Sequence, residues 1–251
     1  MTRRTHSAQT APRALLVAKA PTRPSRIGFT LIEVLVAMLI LSMLATLVYG
    51  GFSQAARNRE RLEQQNTFYQ ETSLVIERMA REMSMAYVST HVSPSLVLRQ
   101  MVSGFVGKDR ARRHRVDFTA FAHRRLDQHA KESDQSEIGY FVTTDPDDPR
   151  GLVLARREQV PIDDDPTEGG RAVVLLRGVE SLEFAYLDPM TLEWVNRWDT
   201  LQINEQPNRL PLQVKIILKM HPPFDPRETL TFATRTDFGL RWGLNHANYT
   251  P

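Results

Sequence analysis

The chain has 251 residues, 41% of them hydrophobic, and no cysteine, so disulfide bonds are excluded. Its formal net charge is +3, but the first 28 residues hold six Lys and Arg residues and no acid. Without them, 26 basic residues face 29 acidic ones, a net charge of about −3. The basic isoelectric point therefore does not indicate a nucleic-acid-binding surface, and no nucleic-acid partner is expected.

The first predicted element is an apolar helix over residues 29–50. Between Phe29 and Tyr49 the polar side chains are Thr30, Glu33, Ser42 and Thr46. A run of about 20 apolar residues spans a bilayer as a helix. The basic segment before it predicts that residues 1–28 stay in the cytoplasm and that everything after Tyr49 is exported. Because a carboxylate inside the membrane costs about 2.5–3.5 kcal/mol on insertion scales, Glu33 is a functional candidate.

The residues Gly28-Phe29-Thr30-Leu31-Ile32-Glu33 resemble the cleavage and methylation signal of type IV prepilins and type II secretion pseudopilins. The resemblance implies that residues 1–28 are a leader removed by a prepilin peptidase, which cuts between Gly28 and Phe29 and methylates the new amine of Phe29. It also implies that Glu33 pairs with the N-terminal amine of a neighbouring subunit during assembly. The alternatives are a signal anchor in which Glu33 is incidental and a cleaved secretory signal.

The helix is predicted to continue as an amphipathic segment over residues 51–90. Residues Ile76, Met79, Ala80, Met83 and Tyr87 recur at helical spacing, with polar residues on the other faces. No proline interrupts the chain between positions 24 and 94, which allows one helix of about 55 to 60 residues. The glycines at 50 and 51 would let it bend, and the methionine stripe is interpreted as packing against a sheet.

Beyond Pro94 the sequence predicts a β-rich domain over residues 91–240 and a tail over 241–251. The candidate strands are 95–100, 115–122, 137–143, 152–157, 172–176, 179–187, 212–220 and 229–234. Alternation is clearest at Leu182, Phe184 and Tyr186, and again at 214–218, so these strands should bury one face. The expected fold class is α+β, with the long helix packed on a mostly antiparallel sheet.

Several patches of this domain resemble the minor pseudopilin J family of the type II secretion system. They are the segments 105–107, 139–142, 151–154, LRGVESLEFAY at 176–186, 193–195 with Trp198, and 210–216. The resemblance implies a structural subunit anchored in the inner membrane by one span, with its C-terminal domain in the periplasm. Implied partners are pseudopilins I, K and H of a tip complex, the major pseudopilin G, the prepilin peptidase and the inner-membrane assembly platform.

No catalytic motif is found, so neither an enzyme nor a cofactor is expected: the sequence has no Gly-x-Ser-x-Gly, no His-Glu-x-x-His and no phosphate-binding glycine loop. His123 and His129 lie in a basic stretch, 110–131, that is either a solvated loop or a metal or anion site. The aspartate clusters at 145–148 and 163–165 are either turns or calcium loops. Trp194 and Trp198 either form an exposed contact surface or pack at a sheet edge.

Two other functions remain open from the sequence. A minor pilin of a type IV pilus, used for adhesion, motility or DNA uptake, would carry the same signal at Gly28 but usually a disulfide. A membrane-anchored periplasmic enzyme or binding protein would carry Glu33 only incidentally, and its function should then survive Glu33→Leu.

Overall fold

In the computed structural model, the described residues are 28–90, 101–109, 111, 113–125, 129 and 131–244. They begin with one helix, α1 (Leu31–Ser84), followed by ten strands. The chain divides between Ala56 and Arg57 into two structural units.

The first unit contains the apolar part of α1. Its large side chains, from Phe29 to Phe52, are all exposed, and an 18-residue window of the helix reaches a mean hydropathy of 2.6 with none of it buried. An exposed helix that is apolar all round must be covered by lipid or by other chains. The helix is therefore long and apolar enough to cross a membrane.

The second unit contains two antiparallel sheets. The larger sheet holds six strands in the order β5-β4-β3-β2-β1-β8, and the smaller one holds four in the order β10-β9-β6-β7. The strands are β1 (Phe105–Lys108), β2 (Arg115–Ala120), β3 (Ser136–Thr144), β4 (Leu152–Gln159), β5 (Arg171–Arg177), β6 (Val179–Leu187), β7 (Trp194–Val195), β8 (Trp198–Asp199), β9 (Gln213–Met220) and β10 (Leu230–Asp237).

The chain passes from one sheet to the other at Gly178, the one residue between β5 and β6. Its φ of +74° is in the left-handed region that favours glycine. The carbonyl oxygen of His221 lies 2.9 Å from the place of a Cβ atom, and the backbone N–H of His221 donates to the Gly178 carbonyl at 2.8 Å. A side chain at this corner would collide with the backbone of His221, the residue directly after β9.

The core of the second unit lies between α1 and both sheets. From the helix come Phe68, Ile76, Met79 and Met83, all buried. Phe68 meets Phe232 of β10 with ring centroids 6.0 Å apart. Besides the connection at Gly178, the two sheets contact each other where Tyr186 of β6 packs edge-on against Phe105 of β1, with ring centroids 5.7 Å apart.

Seven of the predicted strands are confirmed, with ends displaced by at most three residues, and the α+β class is confirmed with them. The predicted strand at 95–100 lies outside the described residues. The predicted alternation holds, since Leu182, Phe184 and Tyr186 are buried. Strands β1, β7 and β8 were not predicted, because runs of two to four residues are too short to show a period.

The helix ends at Ser84 instead of continuing to residue 90. Competition from the sheet explains the difference: the Tyr87 N–H donates to the Thr119 carbonyl, and Ala86 pairs with Ala120. Tyr87 is still buried, although not as a helical residue. The prediction of a tail over 241–251 is also wrong for its first residues, because Trp242 forms a β-bridge with Arg209 and Leu244 forms one with Ser89.

Candidate functional site

The segment before the apolar helix, residues 28–30, has no regular secondary structure and is exposed. Phe29 is 85% exposed, and no atom lies within 4 Å of the place where a Cβ of Gly28 would be. Thr30 caps the helix: its hydroxyl accepts from the Glu33 N–H at 3.3 Å, while Glu33 accepts from the Thr30 N–H at 3.4 Å. This reciprocal pair is a capping box, which satisfies two backbone donors at the helix start. Glu33 thus lies in the first turn of the helix, five residues after Gly28.

Within the described residues, Thr30 is the hydrogen-bond partner of Glu33, and no cation reaches its carboxylate. The neighbouring side chains on the helix are apolar and exposed. The carboxylate therefore has acceptor positions left over for a donor from outside the chain. Gly28, Phe29 and Glu33 are brought together by sequence proximity and the helix start, not by tertiary packing.

A second glutamate of the same helix, Glu82, is buried against the six-stranded sheet. Arg156 of β4 donates to both of its oxygens, at 2.9 and 3.0 Å, and the Tyr140 hydroxyl of β3 donates at 2.6 Å. Arg78, one helical turn earlier, adds a contact of 2.9 Å. Burial and the Glu82 charge raise the pKa of Tyr140, so its hydroxyl stays a donor. The cluster joins helix and sheet.

The charge network continues outward from Arg156. Its guanidinium also contacts Glu158 at 2.5 Å, and Glu158 contacts His123 at 3.1 Å. His123 in turn contacts Glu132 at 2.9 Å, and this hydrogen bond raises the pKa of His123. His123 is thus held between two carboxylates, so the solvated-loop interpretation is wrong for it. His129 of the same stretch is exposed.

On the opposite face of the six-stranded sheet, arginines hold the loop at 163–169. Asp117 of β2 contacts Arg115 at 2.5 Å and Arg157 at 3.3 Å. The two arginines donate to loop carbonyls, Arg115 to Thr167 at 2.6 Å and Arg157 to Pro166 at 2.5 Å.

Glu137 of β3 lies next to this clamp and is fully buried. It accepts from the Asp163 N–H at 2.6 Å and lies 3.8 Å from Arg157, while its Oε2 has no hydrogen-bond partner among the described residues. Burial raises the pKa of Glu137 to about 7.

The two aspartate clusters form turns. Asp145 accepts from the Asp147 N–H at 2.9 Å and pairs with Arg177, whereas Asp165 accepts from Thr167 at 2.7 and 2.8 Å. These hydrogen bonds lower the pKa values of both carboxyls. Nowhere in the described part of the chain do three or more His, Asp or Glu side chains gather in a group that could hold a metal ion.

The two tryptophans have different environments. Trp198 is fully buried at the edge strand β8, and its indole N–H donates to the Arg209 carbonyl at 3.0 Å. Trp194 is 40% exposed, with Lys215 and Arg235 over its ring at 5.3 and 5.8 Å. The prediction of an exposed contact surface formed by both rings is therefore wrong. The alternative prediction, packing at a sheet edge, is confirmed for Trp198.

Sequence reasoning missed the Glu82 cluster. A signal was present, since Glu82 lies between Met79 and Met83 on the apolar stripe and four residues after Arg78. An acid inside an apolar stripe indicates a buried partner, but nothing in the pattern identifies Arg156 and Tyr140, which are 58 to 74 residues away.

Comparisons with known proteins identify two families. The model of the type II secretion system protein J family matches residues 50–229, and that of the prokaryotic N-terminal methylation motif matches residues 23–49. No curated protein sequence is significantly similar to the chain. Solved structures that match the chain include a chain of the GspK-GspI-GspJ complex from the enterotoxigenic Escherichia coli type 2 secretion system. That chain is 13% identical, with a TM-score of 0.42 over 70% of this chain and 98% of that one.

The protein J match covers well over half of the chain and the greater part of the second unit. It separates the protein from the minor pilins of type IV pili, and it places the protein in a family of structural pseudopilins instead of known enzymes. The methylation motif and the apolar helix indicate a membrane-anchored protein with a C-terminal domain outside the anchor. The chain belongs to the type II secretion system protein J family and is a minor pseudopilin.

Proposed function

We propose that this minor pseudopilin acts in a tip complex that initiates a short periplasmic pseudopilus and so drives the export of folded proteins across the outer membrane. Residues 1–28 form the cleaved cytoplasmic leader, 29–50 the inner-membrane and filament-core helix, and the rest of α1, as far as Ser84, its continuation. The periplasmic domain follows and extends beyond residue 240, since Trp242 pairs with Arg209. The observation that carries the proposal is the methylation motif match at 23–49 directly before the protein J match at 50–229.

The geometry around Gly28 supports cleavage between Gly28 and Phe29 by a prepilin peptidase. The two residues are exposed and precede the first helical residue, Leu31, so the scissile bond is not part of the helical hydrogen-bond ladder. Glycine lets an extended backbone enter a protease cleft closely. After cleavage and methylation, the amine of Phe29 is a cation at the start of an apolar helix.

Glu33 is proposed to dock this subunit beside another. It is the one acid in the apolar run, and its capping-box bonds to Thr30, at 3.3 to 3.4 Å, leave acceptor positions open. Pairing with the amine of a neighbour would neutralise both charges within the membrane, where an uncompensated carboxylate costs about 2.5–3.5 kcal/mol. Assembly is then favoured over a solitary subunit.

The partners follow from the family. The tip complex consists of this chain with pseudopilins I and K, joined by H, and it primes a filament of the major pseudopilin G at the inner-membrane assembly platform. Support comes from the protein J family match over residues 50–229, which covers most of the second unit.

The deciding experiment is the intact mass of the protein from cells with and without the prepilin peptidase. We expect the loss of residues 1–28 and the gain of one methyl group, both dependent on the peptidase. The leader variant Gly28→Leu should stay unprocessed, whereas Gly51→Leu, a glycine in open space on the helix, should be processed normally. An uncut chain, or a cut elsewhere, overturns the proposal.

Partner binding is tested with the mature chain in detergent and the soluble domains of pseudopilins I and K. Co-elution with at least one of them is expected. Glu33→Leu should retain this binding by the periplasmic domain but should abolish pseudopilus assembly in cells, and Glu60→Leu is the control on the same helix. Binding of neither domain contradicts the tip-complex proposal.

A further inference from the structure

The C-terminal end of α1 borders a groove of about 710 Å³ on the second unit. One wall is the last part of the helix, from Arg78 to Glu82, together with Met85 just after the helix end, and the opposite wall is the segment 121–124 that follows β2. Arg156 and Glu158 of β4 form its base.

The acids in this groove are already paired. Glu82 is bound by Arg156, Tyr140 and Arg78, and Glu158 lies between Arg156 and His123 at 2.5 and 3.1 Å. Neither carboxylate is therefore free to neutralise a further cation.

Two arginines at the mouth of the groove have no such partner in the part of the chain that the structure describes. Arg81 and Arg124 are both exposed and both line the groove. Within the residues that the structure describes, neither guanidinium makes a hydrogen bond or an ion pair. The groove lining thus holds four arginines against two acids, and the excess positive charge is at Arg81 and Arg124.

Between the two arginines the surface is apolar. Met85, Phe121 and Ala122 are half-buried and line the same groove. The Phe121 ring is stacked on Tyr87, with centroids 4.3 Å apart and an interplanar angle of 22°, so it is held in place. An ordered apolar patch flanked by cations fits a chain that carries an apolar side chain between carboxylates.

We propose that this groove, which we call the Arg81–Arg124 groove, binds an acidic segment of another pilin-class subunit. Carboxylates of that segment would pair with Arg81 and Arg124, and an apolar side chain would rest on Phe121. The identity of the partner rests on the proposed function above. The chemistry of the groove does not, because it depends only on charges and contacts within the second unit.

The first test uses the mature chain in detergent and a fluorescent peptide in which leucines alternate with glutamates. The double variant Arg81→Glu/Arg124→Glu should weaken binding about tenfold or more, since each lost charge pair is replaced by repulsion. The control of equal charge change is Arg150→Glu/Arg171→Glu, two exposed arginines that do not line the groove. It should bind as the unmodified chain does.

Absence of peptide binding, or an equal loss in both double variants, overturns the proposal. A peptide in which lysines replace the glutamates should not bind, and equal binding of it would also overturn the proposal. Unchanged circular dichroism and thermal midpoints of the variants verify that the fold is intact.

The second test replaces the peptide with the soluble domains of pseudopilins I and K. If Arg81→Glu/Arg124→Glu binds one of these domains more weakly than the unmodified chain does, and the control double variant does not, the groove is supported as a subunit contact. If both domains bind the double variant normally, the groove inference fails and the proposed function stands. If neither domain binds the unmodified chain but the peptide does, the tip-complex proposal fails and the acidic-segment site stands.

Discussion

Two glutamates of one helix show how differently a carboxylate is accommodated in the two units. Glu33 begins an exposed apolar segment, and its hydrogen bonds within the described residues are to the adjacent Thr30. Glu82, near the other end of α1, is 5% exposed and contacts Arg156, Tyr140 and Arg78. The helix has the same backbone conformation at both places.

The difference lies in where the partners come from. Glu82 receives its donors from strands of its own chain, so it contributes to folding. Glu33 has a helix cap and apolar neighbours, and within the described residues no cation contacts its carboxylate. One carboxylate therefore stabilises the domain, whereas the other, under the proposed function, pairs with a cation of another subunit.

The largest effect is expected for Glu82→Gln. The change leaves Arg156 buried without its bidentate partner, and breaking a buried ion pair in this way costs about 3–5 kcal/mol. Urea unfolding of the mature chain in detergent, followed by tryptophan fluorescence, measures the loss. Glu63→Gln is the control, because Glu63 pairs with Arg59 on the exposed surface of the same helix. Equal midpoints for the two variants would contradict the structural role of Glu82.

A smaller loss is expected for Tyr140→Phe. The substitution removes a single donor, at 2.6 Å from Glu82, and leaves the ring in the core. Hydrogen bonds to charged groups contribute about 1.5–3 kcal/mol. Tyr186→Phe serves as the comparison, since the structure shows no hydrogen bond from that hydroxyl among the described residues and no such loss is expected. If the two tyrosine variants unfold at the same urea concentration, Glu82 does not depend on this donor.

Glu137 sharpens the comparison, because it is buried but only partly paired. Burial raises its pKa to about 7 from an ordinary value near 4.5. In the window between these values the native state keeps the proton that the unfolded state releases, so raising the pH favours unfolding. The free energy of unfolding should fall by about 1–3 kcal/mol from pH 4.5 to pH 7.5, relative to Glu137→Gln. Parallel pH profiles for the two proteins would contradict this assignment.

The smallest effect on folding is expected for Glu33→Gln. The amide oxygen can still accept from the Thr30 N–H, and the second unit does not contain this residue. The urea midpoint of the periplasmic domain should be unchanged, while pseudopilus assembly should be lost because the charge is gone. A shifted urea midpoint together with normal pseudopilus assembly would mean that Glu33 contributes to folding and not to assembly, which contradicts the proposed role.

Local patterns predicted much of the fold. The apolar run, the alternation at Leu182–Phe184–Tyr186 and the turn residues are properties of neighbouring positions, and they located the helix and seven strands. The three unpredicted strands are short pairings whose existence depends on a distant neighbour, as Gly107 of β1 pairs with Trp198 of β8. The predicted end of the helix was wrong for the same reason. The Tyr87 N–H donates to the carbonyl of Thr119, a residue 32 positions away, and no local pattern indicates this hydrogen bond.

The candidate processing site was predicted from the sequence alone, because the roles proposed for Gly28, Phe29 and Glu33 depend on their spacing along one segment. The Glu82 cluster and the Arg81–Arg124 groove could not, because each unites the end of helix α1 with residues more than 35 positions away. By itself, the sequence determined the apolar helix, the motif before it and the α+β class. Only the tertiary structure decided which charged residues are paired inside the domain and which remain for a partner, because burial and ion pairing depend on the packing of the helix against the sheet.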